Sequence, residues 1–159
     1  MHSEFIAVSS SFIRMLAQGV GSRPIVAVGT TSVRTLESLY HAGCLIAAGR
    51  WDGEVPQWSP YEEDANMLDA KFALTAFADY LESRGEETFV ARTRIIIAPG
   101  YKYQVVDKMI TNFHQPESTL LLLVCAFIGD GWRDAYRHAL SGSYRFLSYG
   151  DACLLSRRR

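Results

Sequence analysis

Four polar side chains crowd one short stretch of this chain: Asn112, His114, Ser118 and Thr119, set around Pro116. His114 is the one that titrates near neutral pH, so it can give or take a proton. Asn112 adds a neutral donor and acceptor, and Ser118 and Thr119 add hydroxyls able to cap a helix. The stretch lies between an apolar, β-rich run and residues 120–124, which are apolar on every side. A strand that empties into a polar turn and then a buried helix is where α/β proteins gather ligand-binding groups. In one reading His114 is a general acid or base, with Asn112 and Ser118 positioning a substrate. In the other, the same residues are a capped turn holding a hydrogen-bonded histidine.

Two further turns carry similar potential. Gly29-Thr30-Thr31-Ser32-Val33-Arg34 leaves a wholly apolar run, Pro24-Ile25-Val26-Ala27-Val28. Glycine admits a ligand close to the backbone, and a helix N-terminus dressed with hydroxyls suits an anion. Arg34 sits in the first helical turn, where a cation opposes the macrodipole by ~0.3–1 kcal/mol, so a ligand carboxylate or phosphate would explain it. The alternative is a capped helix whose Arg34 reaches a surface acid. In Tyr144-Arg145-Phe146-Leu147-Ser148-Tyr149-Gly150-Asp151, Arg145 and Asp151 flank aromatics on which a base can stack. An aromatic hairpin closed by one salt bridge is the competing reading. His2 and Glu4 share a face if residues 2–8 form a strand, which makes them a candidate acid/base pair. Asp107, inside an apolar strand, must be paired or lie at a strand end. His41 and His138 read as surface residues on helices. No Cys or His cluster has metal-ligand spacing, so no metal is expected.

The elements that must position these turns follow from periodicity. Strands are expected over residues 2–8, 24–28, 89–98, 104–113, 144–148 and 152–155. Ser9 to Ser11 can cap a helix through Phe12, Ile13 and Leu16, and a second helix carries Val33, Leu36 and Leu39 and ends near Gly43. Residues 49–61 read as a loop. Met67, Ala70, Leu74, Phe77 and Leu81 recur at steps of three and four, giving a long amphipathic helix over residues 62–84. Further helices are expected over residues 116–127 and 132–140. Alternating helices and apolar strands give one α/β domain over residues 1–159, layered α/β/α on a mostly parallel or mixed sheet.

The totals bound the class. The 159 residues suffice for one domain with a core, and 48% hydrophobic with 21% charged residues is ordinary for a globular chain. A net charge of −1 provides no global field towards nucleic acid, so any such contact needs a local patch. Cys44, Cys125 and Cys153 are odd in number and far apart, which argues for reduced thiols and a cytoplasmic setting. No segment reaches the roughly 18 apolar residues of a membrane span. The chain opens on a strand with no leader before it, as a natural domain or a piece of a longer protein would.

Several stretches, taken together and in order, carry a resemblance. His2-Ser3-Glu4, Val28 to Ser38, Pro99-Gly100-Tyr101 with Val105-Val106-Asp107, Ile110 to His114 with Pro116 and Ser118-Thr119-Leu120, and Tyr144-Arg145-Phe146 with Ser148 to Ala152 resemble the S-adenosylmethionine:tRNA ribosyltransferase-isomerases of queuosine biosynthesis. The resemblance implies an enzyme that moves the ribosyl part of S-adenosylmethionine onto the aminomethyl nitrogen of a 7-deazaguanine at the tRNA wobble position. The ribose becomes an epoxycyclopentanediol, and adenine and methionine leave. S-adenosylmethionine is then a consumed substrate, no cofactor stays bound, and the partner is tRNA bearing the 7-deazaguanine precursor. It further implies that His114, Asn112 and Asp151 serve the chemistry. Gly29, Thr30, Thr31, Ser32, Arg34, Ser118, Thr119, Arg145, Tyr149, His2 and Glu4 would contact substrates. Members of that family are longer, with a β-barrel domain and part of the α/β domain upstream, so this chain reads as a C-terminal portion, inactive alone. Where they have Leu-Pro-Lys-Ser-Thr-Leu, this chain has Gln115-Pro116-Glu117-Ser118-Thr119-Leu120. Glu117 disfavours a phosphate there and suits a sulfonium and its ribose. Residues 51–87 exceed the family's usual connection and read as an insertion. A binding module without chemistry is the alternative. An ordinary methyltransferase is disfavoured because the Gly29 turn lacks Gly-x-Gly spacing.

Overall fold

The computed structural model describes residues 3–62 and 68–157. Its elements run β1 (Glu4–Ser9), α1 (Ser10–Gly19), β2 (Val26–Val28), α2 (Thr30–Ala47), β3 (Glu54–Val55), a 3-10 turn (Ser59–Tyr61), α3 (Ala70–Ser83), β4 (Thr88–Thr93), β5 (Lys108–Asn112), α4 (Thr119–Ile128), α5 (Gly131–Ser141) and β6 (Ala152–Ser156). The class is α/β with mixed pairing, but the strands form two three-stranded sheets and not one layer: β1-β4-β3 and β2-β5-β6. In the first, β4 is antiparallel to β1 and parallel to β3; in the second, β5 is parallel to β2 and antiparallel to β6. One core of Ile13, Leu39, Tyr40, Leu74, Phe77, Leu81, Ile95 and Met109 joins α1, α2 and α3 to both sheets. A smaller one of Phe113, Leu121, Val124, Tyr136 and Ala139 holds α4 and α5. Among the described residues no helix is long and apolar enough to cross a membrane.

Several boundaries differ from expectation for physical reasons. Helix α2 does not stop at Gly43. A Cβ there would lie 2.5 Å from the Ala73 carbonyl oxygen, so glycine is what lets α2 and α3 cross closely. The glycine that ends α2 is Gly49, at φ 67°, whose N–H reaches the Ile46 carbonyl. Substituting Gly43→Val is therefore expected to destabilise by about 1–3 kcal/mol or more through overpacking, read as a lower midpoint in urea. The long helix starts later than expected, with Asp69 as N-cap accepting from the Lys71 and Phe72 amides. Residues 63–67, including Met67, lie outside the described part. Residues 144–148 are not a strand: Leu147 takes φ 67°, and a Cβ on Gly150 would collide with the Arg145 carbonyl at 2.2 Å.

Strand β5 is shorter than residues 104–113 because the amides of residues 104–106 bond a side chain in place of a neighbouring strand. Glu37, fully buried on α2, accepts the Gln104 N–H (3.0 Å) and the Tyr101 hydroxyl (2.8 Å) on Oε2. Its Oε1 accepts the Val105 (3.0 Å) and Val106 (2.9 Å) N–H groups. Burial pushes this carboxyl up, while the N–H donors and the phenol pull against it. The next residue, Asp107, behaves as its sequence context demands. Its Oδ2 accepts the Ile25 N–H (3.0 Å) and its Oδ1 the Arg157 guanidinium (3.0 Å), at the mouth of β5.

His41 is buried, not on the surface, and its Nε2 lies 3.1 Å from the same Tyr101 hydroxyl. Burial lowers its pKa to about 4, so the folded chain holds it neutral. The unfolded imidazole titrates near ~6.5 and binds its proton first. Stability is fully present above about pH 6.5 and is lost as pH falls towards about 4, with a slope of at most ~1.4 kcal/mol per pH unit from this group. Urea unfolding across that window should show a shallower acid slope in His41→Phe.

Candidate functional site

Because β2 and β5 are parallel, adjacent strands, their C-terminal ends open at the same edge. The Gly29 N–H, just past β2, donates to the Ile110 carbonyl of β5 at 2.8 Å. On the other side of β5, Asn112 pairs with Ala152 at the start of β6. All three turns singled out in the sequence thus meet at one end of one sheet, the location that doubly wound folds use for ligands.

Gly29 caps α2 at φ 85° with no side-chain cap, which leaves the first helical amides without a side-chain acceptor. Thr31 and Ser32 are exposed beside them and, with Thr35, line a groove of about 550 Å³. Arg34 does not join that mouth. It is 4% exposed and its guanidinium pairs inward with Glu4 of β1. Its Nε and Nη2 are buried with no hydrogen-bond partner among the described residues. Glu4 is thereby committed to a structural ion pair. His2 lies outside the described residues.

His114 is half-buried and held at two points. Its backbone N–H donates to the Tyr136 hydroxyl of α5 at 2.8 Å, and its Nε2 lies 2.8 Å from Thr111 Oγ1. The Thr111 hydroxyl also lies 3.3 Å from the Asn112 carbonyl, to which it can donate, and the direction of its bond with the imidazole follows the His114 tautomer. With Nε2–H donated to Thr111, the Nδ1 lone pair would be open to a substrate. Burial lowers the pKa of His114, which keeps the ring in the form that accepts a proton. Ser118 is the N-cap of α4, accepting the Leu121 N–H (3.1 Å) and donating to the Gln115 carbonyl (2.8 Å). Thr119 opens the helix and is exposed. Pro116 and Glu117 precede α4 and are not part of it; Glu117 stands at φ 60°.

Asn112 Nδ2 donates to the Gly150 and Asp151 carbonyls at 3.4 and 3.3 Å, which ties the third turn to β5. Asp151 closes that turn: its Oδ2 accepts the Arg145 N–H (2.8 Å), and its Oδ1 is 3.6 Å from the Arg145 guanidinium. The Arg145 N–H, followed by its side chain, holds the Asp151 carboxyl below its ordinary value, so it stays ionised. Tyr149 projects from the tip at 97% exposure, a free face for stacking. Sequence reasoning missed Thr111 and Tyr136, the two groups that orient His114. Thr111 could have been found, since it sits on the inward face of β5 with Met109; Tyr136, remote in sequence, gave no signal. Among the described residues, no group of three or more His, Cys, Asp or Glu side chains is placed to hold a metal ion.

The fold and its converging turns define an α/β domain with a strand-end site. Residues 1–155 match the family described as queuosine biosynthesis protein, and the chain belongs to that family. The S-adenosylmethionine:tRNA ribosyltransferase-isomerase of Paraburkholderia phymatum is 42% identical over 159 residues, spanning 99% of this chain and 35% of its own length. That of Buchnera aphidicola subsp. Schizaphis graminum is 38% identical, over 98% of this chain and 34% of its length. The crystal structure of S-adenosylmethionine tRNA ribosyltransferase from Thermotoga maritima superposes with a TM-score of 0.60 at 34% identity, over 94% of this chain and 39% of that one. The chain therefore spans about a third of the curated relatives it matches.

Proposed function

We propose that this chain carries the strand-end site of an S-adenosylmethionine:tRNA ribosyltransferase-isomerase. The observation that supports it is the meeting of the Gly29, His114 and Asp151 turns at one sheet edge, in a chain belonging to this family. The ribosyl group of S-adenosylmethionine passes to the aminomethyl nitrogen of a 7-deazaguanine at the tRNA wobble position, yielding epoxyqueuosine, adenine and methionine. A proton must leave the carbon beside the sulfonium, and a neutral imidazole with an open Nδ1 is suited to take it. The uncapped amides after Gly29, with Thr30, Thr31 and Ser32, suit the methionine carboxylate or ribose hydroxyls. Tyr149 and Arg145 suit a nucleobase by stacking and charge. Asn112 and Asp151 act by holding that turn, and Arg34 acts inside the fold. The carboxylate of Glu117 at the entrance to α4 favours the sulfonium over a phosphate. Alone, the chain is expected not to turn over, since relatives use nearly three times its length.

The test uses the complete enzyme that contains this chain, with S-adenosylmethionine labelled either in the ribose or in the methyl group. Ribose label entering the tRNA, with methyl label leaving as methionine, is expected. Methyl label entering the tRNA would replace this reading with methyl transfer.

A further inference from the structure

A cavity of about 700 Å³ opens at the other end of the β2-β5-β6 sheet. Lys108 begins β5 there and Asn112 ends it near the His114 turn, so the two places stand roughly 13 Å apart along the strand. Three cations line the cavity: Arg23 from the loop between α1 and β2, Lys108 of β5, and Arg157 just past β6. Hydrogen bonds stitch their backbones together. The Ile25 carbonyl accepts the Asp107 and Lys108 N–H groups, both at 3.0 Å, and Lys108 pairs with Ser156 of β6. The charges on the wall are unevenly matched. Asp107 accepts from Arg157 and from the Ile25 N–H, and the Arg157 guanidinium also donates to the Tyr103 carbonyl at 2.7 Å. Asp69, the other carboxylate on the wall, is the N-cap of α3. The side chains of Arg23 and Lys108 have no hydrogen bond or ion pair among the described residues, although Lys108 is half-buried. A charge withdrawn from water is ordinarily paired.

We propose that this cavity is a phosphate site, separate from the strand-end turns. Arg23 offers a planar fork that bonds two phosphate oxygens, and Lys108 adds a compact charge. The Ser156 hydroxyl is a further donor on the wall. Arg157 offsets Asp107 and keeps that carboxylate from repelling an anion. Two unpaired cations match a phosphate monoester, of charge about −1.5 to −2 near neutral pH, better than a single carboxylate. They match two successive phosphodiesters of an RNA backbone equally well. The volume lies within the ~300–1,000 Å³ of ligand clefts and exceeds what a bare phosphate fills, so the phosphate arrives on a larger molecule. In a chain of net charge −1, a local patch of this kind is where a phosphate-bearing molecule is held. The inference uses none of the groups assigned to ribosyl transfer and holds whether or not that reading does.

Residue-resolved amide NMR on this chain tests it, with inorganic phosphate, 5′-AMP and a single-stranded RNA decamer as probes. Shifts at the amides of Ser22, Arg23, Asp107, Lys108 and Arg157 should saturate below ~10 mM probe. The double variant Arg23→Ala with Lys108→Ala should weaken binding at least tenfold. Its melting temperature should stay within ~2 °C of the parent, because neither side chain has a partner to lose. Lys102→Ala removes an exposed lysine outside the cavity and should leave each Kd within about twofold. The ranking of probes reads the source of the phosphate. Tighter binding of AMP than of the decamer assigns a free nucleotide. Tighter binding of the decamer, with a salt slope that falls by about 1.4 in the double variant at ~0.7 per lost contact, assigns an RNA backbone. Absence of saturating shifts at these amides with all three probes would overturn the proposal. So would equal affinity in the parent and the double variant, or an equal loss in Lys102→Ala.

Discussion

Glu37→Ala should leave little folded protein at 25 °C. The carboxylate accepts backbone N–H groups from Gln104, Val105 and Val106 and the Tyr101 hydroxyl, all in the interior. Truncation orphans these donors together, and each buried unsatisfied donor costs about 1–3 kcal/mol. The sum reaches the ~5–15 kcal/mol that stabilises a whole domain. Glu37→Gln should be milder but still destabilising, because its amide presents two donors where the carboxylate offered acceptors. Tyr101→Phe should cost only ~1 kcal/mol directly, with His41 losing its partner as well. Urea denaturation followed by circular dichroism would rank the three. An Ala variant as stable as the parent would mean that residues 104–106 find other acceptors. The segment these amides belong to leads straight into β5 and the His114 turn, so this clamp fixes the site from beneath.

His114→Ala, made in the complete enzyme, should lower kcat by about 10²–10⁴-fold, the range of a lost general acid–base group. The fold should survive, because the tie to α5 runs through the backbone N–H of residue 114 and the Tyr136 hydroxyl, and alanine keeps that N–H. The pH profile gives a finer test. The base must be neutral, and burial depresses its pKa, so activity should stay level down to below about pH 6.5 before falling. Thr111→Val should remove the hydroxyl that holds His114 Nε2 and lower kcat more than it changes KM. Turnover within a few-fold of the parent in His114→Ala would take the imidazole out of the chemistry and leave it a capping group.

Local chemistry made much of this legible in the sequence. Ser9 and Ser118 cap helices with their own side chains, a purely local device. The β2, Gly29, α2 grammar and the β5, His114, α4 grammar hold for the same reason. What sequence could not carry was tertiary choice. Gly43 looked like a helix stop until α3 supplied the backbone it lies against. Residues 104–106 looked like strand because nothing local announces that Glu37, remote in sequence, takes their amides. Arg34 looked like a ligand group because only the fold puts Glu4 within its reach. At the site, the motif residues were visible and their division of labour was not. Asn112 and Asp151 build a turn, Tyr149 stands free, and His114 is aimed by Thr111 and Tyr136.

The most direct test places this chain within a full-length relative. In the Paraburkholderia phymatum relative, the matched third would be replaced by these residues. Adenine released from S-adenosylmethionine would then be measured with tRNA bearing 7-aminomethyl-7-deazaguanine. Release that depends on that base, one adenine per base consumed and within about tenfold of the parent rate, is the expected result. A chimera that folds and binds both substrates, yet releases no adenine, would contradict a catalytic site in this chain.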